Sequence, residues 1–138
     1  MIKMMNKIRQ LKTNEDGFTL IEMMIVVAII AILTAIALPK FNESLAMANT
    51  SRVQADLQSL DTAISMYKVQ NNKAPQNISD LSEYIDVDNV KAPTGDVYVN
   101  GVLTANETGE NYSLNSDKTN ATFMGKTRVE FGKNSGNE

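Results

Sequence analysis

The chain has 138 residues, 43% hydrophobic and 21% charged, with a formal net charge of -3, which is enough for one domain. Histidine and cysteine are both absent. Their absence excludes imidazole acid–base catalysis, cysteine nucleophiles, thiolate metal sites, haem attachment and a disulfide framework. The charge is unevenly divided, with a net +2 over residues 1–17 and a net -5 over residues 18–138. An acidic body is a poor partner for nucleic acid, whose binding rests on phosphate neutralisation, so no specific nucleic acid is expected.

In chain order, a basic stretch carrying Lys3, Lys7, Arg9 and Lys12 comes first and ends at Gly17. From Phe18 to Leu38 run 21 residues with a single charge, Glu22. As a helix this stretch extends about 31 Å, against a hydrocarbon core of roughly 30 Å. The positive residues precede it, so the positive-inside bias leaves residues 1–17 cytoplasmic and sends the C-terminal body outward. Pro39 and Lys40 close the apolar run, and Pro39 is a candidate helix kink. Helical patterning then resumes. Ala46, Val53, Leu57, Leu60, Ile64 and Tyr67 recur at spacings of three, four and seven, which makes one apolar stripe on a helix. No Gly or Pro interrupts residues 42–70, and Asn71, Asn72 and Pro75 supply the stop.

Beyond Pro75 the period changes. Ser79 is positioned to cap a short helix carrying Leu81, Tyr84 and Ile85. Val97-Tyr98-Val99 and Val102-Leu103-Thr104 flank Asn100-Gly101, a strong hairpin signal. Further short strands are expected at Tyr112 to Leu114, Ala121 to Met124 and Arg128 to Phe131. Strands packed on the apolar stripe give a small head that depends on the helix for its core. Asp86-Val87-Asp88-Asn89 lacks the glycine of a calcium loop, so no metal site and no cofactor are expected. N-x-[ST] triplets begin at Asn42, Asn49, Asn77, Asn106, Asn111 and Asn120 and are assigned no function. No spacing of Ser, Lys, Asp or Glu singles out a catalytic residue, and the chain is read as a non-enzyme.

The segment GFTLIEMMIVVAIIAILTAIALP resembles the N-terminus of the type IV pilin family. There a leader ends in Gly before F-T-L-x-E and a hydrophobic helix. The resemblance covers about 40 residues and implies an α+β ladle, in which a long N-terminal helix carries a small C-terminal antiparallel sheet. It implies a leader at 1–17, a transmembrane and filament-core helix at 18–39 and an amphipathic continuation at 40–73. A sheet head at 74–131 and a flexible tail at 132–138 complete the expected organisation.

The resemblance also implies cleavage by a prepilin peptidase between Gly17 and Phe18 and N-methylation of Phe18. Glu22 would neutralise the new amine of a neighbouring subunit during assembly. The implied partners are further copies of the chain, the peptidase, the assembly machinery and the membrane. The implied location is the cytoplasmic membrane for the single-pass precursor and the cell surface for the filament.

A major pseudopilin of a type II secretion or competence DNA-uptake system shares this N-terminus and is the alternative. The calcium-binding loop common near the C-terminus of secretion pseudopilins is not matched, which tilts the reading toward a pilin. Two blander readings are a secretory signal cut after Ala37, suggested by Ala35-Ile36-Ala37, and a plain single-span anchor.

Overall fold

Residues 17–106 and 109–132 of the 138 are described in the computed structural model. The expected leader, apart from Gly17, and the expected tail beyond Gly132 lie outside them. Among the described residues the element order is one long helix, a short 3-10 turn, four short strands and a second 3-10 turn between the last strand and the end. The chain divides between Leu38 and Pro39 into two units.

Helix α1 is Leu20–Asn71, 52 residues, with Pro39 inside it. Residues 17–42 are all exposed, including Ile25, Ile29, Ile32 and Leu33. Among its described residues the first unit has none that is buried. Proline at position 39 has no amide hydrogen to give the carbonyl of Ala35, so the ladder lacks one bond there. At the other end Asn72 adopts a left-handed φ of 51° and its amide bonds the Lys68 carbonyl at 2.9 Å. Asn tolerates that conformation better than most residues, so the stop is a local one.

In the second unit the apolar stripe of α1 is the floor of the core. Val53, Leu57, Leu60 and Ile64 are fully buried. They pack with Leu81, Val97, Tyr112, Ala121, Phe123 and Phe131, while Tyr67 is only partly buried at the margin. Phe123 sits between Tyr112 and Phe131, with ring centroids 5.6 and 5.8 Å away. Truncating such a centre typically costs about 3–5 kcal/mol.

The sheet is fragmentary. β1 (Val97–Val99) and β2 (Val102–Thr104) form an antiparallel hairpin with Val97 opposite Thr104 and Val99 opposite Val102. Its turn, Asn100-Gly101, has φ values of 49° and 79°, both left-handed, as a two-residue hairpin turn of this hand requires. β3 (Ser113–Leu114) and β4 (Ala121–Thr122) form a second antiparallel pair.

Two sequence expectations are corrected. Residues 128–130 form a 3-10 turn, not a strand, because Thr127 and Glu130 cap it: the Thr127 amide donates to Glu130 Oε2 at 2.8 Å. Phe131 alone keeps a bridge to Val99. The first 3-10 turn, Ile78–Leu81, starts behind Asn77 instead of Ser79. Asp80 Oδ2 accepts the amides of Gln76 and Asn77 at 2.7 and 3.1 Å, and this fastens its start.

Strands of two or three residues leave backbone groups unpaired, and buried unpaired groups are costly. Side chains of α1 take several of them. Thr50, itself buried, accepts the Tyr98 amide at 2.8 Å through Oγ1 and donates to the Ala46 carbonyl. Asp61 Oδ1 accepts the Ala121 amide at 2.7 Å. Gln54 donates to the Phe131 carbonyl at 2.5 Å, and Asn49 donates to the Asp96 carbonyl at 3.2 Å. Asp56 accepts the Tyr112 hydroxyl at 2.6 Å. Burial first, and then that carboxylate, push the Tyr112 phenol well above its usual range, so it stays a donor.

Thr50→Val keeps the shape and removes the acceptor. The cost expected is about 1–3 kcal/mol, seen as a lower denaturation midpoint of the full chain in micelles, whereas Ser116→Ala leaves it unchanged. Acid weakens the head through Asp80 and Glu130. Backbone amides of Gln76 and Asn77 hold the Asp80 carboxyl below its usual range, and that of Thr127, helped by Lys126 at 3.2 Å, does so for Glu130. A depressed folded pKa gives stability that is complete above the unfolded value of about 4 and is lost as pH falls through the folded one. The double variant Asp80→Asn, Glu130→Gln is therefore less stable at neutral pH and loses less between pH 7 and about pH 3, as denaturant titration at the two pH values measures.

Candidate functional site

The residues that the N-terminal motif singles out fall at one place, the start of α1. Gly17, Phe18 and Thr19 precede the helix in non-helical backbone, and all are exposed, with Phe18 at 81%. Leu20 begins the helix and Glu22 lies in its first turn. Pro39 stands about five turns further on, so it is not part of this site.

Thr19 and Glu22 hold each other. The Thr19 amide donates to Glu22 Oε2 at 2.7 Å, and the Glu22 amide donates to Thr19 Oγ1 at 3.2 Å. This is the reciprocal box in which a cap threonine and a glutamate three residues on satisfy two orphan amides at a helix start. The Met23 amide adds a bond to the Thr19 carbonyl at 3.2 Å. A carboxylate here also faces the positive end of the helix dipole. Charge and resemblance single out Glu22 in the sequence and give Thr19 no role. The signal was present, since T-x-x-E directly ahead of an apolar stretch is the signature of that box.

The box engages one carboxylate oxygen of Glu22. Its Oε1 has no partner among the described residues, so Glu22 retains an acceptor for a donor from outside this segment. Around it the surface is apolar, with Leu20 81%, Ile21 60% and Met24 59% exposed. Deeper in the segment, Thr34 bonds the Ile30 carbonyl at 2.8 Å, so its hydroxyl adds no unsatisfied donor.

Among the described residues no group of three or more Asp or Glu side chains is arranged to hold a metal ion. In the Asp86–Asn89 loop the Asn89 side chain donates through Nδ2 to Asp86 Oδ2 at 2.5 Å, a turn contact.

Removing the cap tests its role. Thr19→Val is expected to cost the helix start about 1 kcal/mol, read as roughly fivefold faster amide exchange at Glu22 and Met23 in micelles. Unchanged exchange would show that the helix start does not depend on the box.

Comparison with known proteins adds the following. A family profile described as "Prokaryotic N-terminal methylation motif" matches residues 12–38. The chain is 34% identical to a type IV major fimbrial protein FimA of Dichelobacter nodosus, over 80% of this chain and 70% of that protein. It is 32% identical to the type IV major pilin protein PilE1 of Neisseria gonorrhoeae, over 89% of this chain and 66% of that one. It is also 32% identical to the competence protein ComGC of Halalkalibacterium halodurans, over 68% of this chain and 94% of that one. No solved structure matches the chain significantly.

Proposed function

Because the chain belongs to the type IV pilin and pseudopilin family, it is a structural filament subunit and not an enzyme, and we propose a course for its maturation and assembly. The precursor spans the cytoplasmic membrane once through residues 18–38, with the head outside. A prepilin peptidase cuts after Gly17 on the cytoplasmic side and methylates the new amine at Phe18. The apolar segment then passes from lipid into a bundle of like segments, and the heads form the outside of the filament.

The observation that carries this reading is the exposed apolar run that starts beside a capped glutamate. An ionised carboxylate near the apolar zone costs on the order of 2.5–3.5 kcal/mol on insertion scales, and less at the interface. A positive group brought against it in low dielectric offsets much of that. Cleavage at Gly17 creates such a group, the α-amine of Phe18. An amine on a neighbouring subunit fits the open acceptor on Glu22. Pro39 is proposed as a kink in α1.

A short filament of a competence or secretion apparatus is the second reading. The specific observation in its favour is the match over 94% of the competence protein's length.

Intact mass and N-terminal sequence, taken separately from sheared surface material and from membranes, test the proposal. A methylated Phe18 start in sheared material is expected of a surface pilus. The same start confined to membranes supports the second reading. A Leu38 start or an uncut Met1 contradicts both.

A further inference from the structure

The sequence places Gly directly after Asn at one position only, Asn100-Gly101, and this pair is the two-residue turn between β1 and β2. Such a pair carries chemistry of its own. The backbone nitrogen of the glycine can attack Cγ of the asparagine side chain, and a glycine, having no Cβ, puts nothing in the way. A bond forms between that nitrogen and Cγ, the Cγ–Nδ2 bond breaks, and ammonia leaves with the proton of the glycine amide. Water then opens the cyclic imide on one side to give aspartate, or on the other to give isoaspartate.

Both turn residues are exposed, so solvent reaches the pair. The turn is nonetheless held along its other side. The Asn100 amide donates to the Glu130 carbonyl at 2.7 Å and the Gly101 amide to the Gly132 carbonyl at 3.0 Å. The Gly132 amide returns a bond to the Tyr98 carbonyl at 3.0 Å. Residues 130–132 thus lie along the turn as a strap. The attacking atom is the one tied down, because the Gly101 nitrogen must give up the proton that the Gly132 carbonyl holds.

The strap is itself anchored. Phe131 is buried and bridges Val99, and its carbonyl accepts from Gln54 of α1 at 2.5 Å. Gly132 has a φ of 139°, a conformation that strains any residue with a side chain. Glycine therefore suits the position that bonds both Gly101 and Tyr98.

We infer that residues 130–132 guard a self-modifying turn, in which Asn100 is converted to aspartate or isoaspartate only when the strap lifts from Gly101. The conversion is one-way. Isoaspartate adds a carbon atom to the backbone inside a two-residue turn, which then no longer holds Val99 opposite Val102. Aspartate adds a negative charge to residues 18–138, which already sum to -5. The head thus keeps a chemical record of its own opening, and a reacted head does not close as before. The inference stands apart from the filament reading, since it concerns the head of a single chain.

Full-length protein in micelles is held in mildly alkaline buffer and digested at intervals, and the peptide carrying residue 100 is resolved by mass spectrometry into amide, aspartate and isoaspartate forms. Conversion in the folded chain is expected about tenfold or more slowly than in the same chain unfolded in urea, because only the opened fraction reacts. Gln54→Ala removes the donor to Phe131 and is expected to speed conversion in native buffer about threefold to tenfold. Gly132→Ala, which strains the strap by a second route, is expected to act in the same direction, and Ser116→Ala leaves the rate unchanged. Amide exchange at Phe123 shows which variants keep the head folded. Equal rates in the folded and the urea-unfolded chain overturn the inference. Folded strap variants that convert at the unaltered rate overturn it as well.

Discussion

An 18-residue window of α1 with a mean hydropathy of 2.8 has none of its residues buried by its own chain. Fourteen large apolar side chains between Phe18 and Leu38 are exposed. At about 1.5–3 kcal/mol for each one fully buried, leaving them in water forgoes on the order of 10–20 kcal/mol even when partial exposure is allowed for. That equals or exceeds the whole stability of an ordinary domain, about 5–15 kcal/mol. Among the described residues nothing covers that apolar surface. In the proposed course of assembly, lipid covers that surface first and other copies of the same segment cover it next.

The head has a core of its own. Its core is small and lies wholly on the stripe from Val53 to Ile64, closed by Leu81, Val97, Phe123 and Phe131. The strands are too short to satisfy their own edges, and Thr50 and Asp61 of the helix take backbone amides of two of them, while Gln54 takes the Phe131 carbonyl and Asp56 the Tyr112 hydroxyl. The polar side chains that hold the head are therefore drawn to the margins of the apolar stripe. One helix thus carries both the foundation of the head and an exposed apolar run.

Much of this was legible in the residues. The apolar run, the stripe and the Asn100-Gly101 hairpin are periodic or local signals, and they survive into the structure because local geometry decides them. The long-range stitches were not legible. Thr50 and Asp61 are separated by 48 and 60 residues from the amides they accept, and nothing in a periodic pattern marks a threonine as the partner of a distant strand. Residues 128–130 misled for a different reason. Val129 and Phe131 alternate like a strand, but Thr127 and Glu130 cap a turn, and a local polar box outweighed a two-residue alternation. At the N-terminus the glutamate drew attention for its charge, while the threonine that orients it was hidden in plain sequence as a polar residue before an apolar run.

The central claim is that the helix start is completed by another subunit, with Glu22 as the acceptor. The most direct measurement compares Glu22→Ala with the unaltered chain in two fractions of the same cells, membranes and sheared filaments. Membrane insertion depends on the apolar run, so the variant is predicted in membranes at an undiminished level, while its filament yield falls about tenfold or more. Filaments of Glu22→Ala at normal yield would contradict the account.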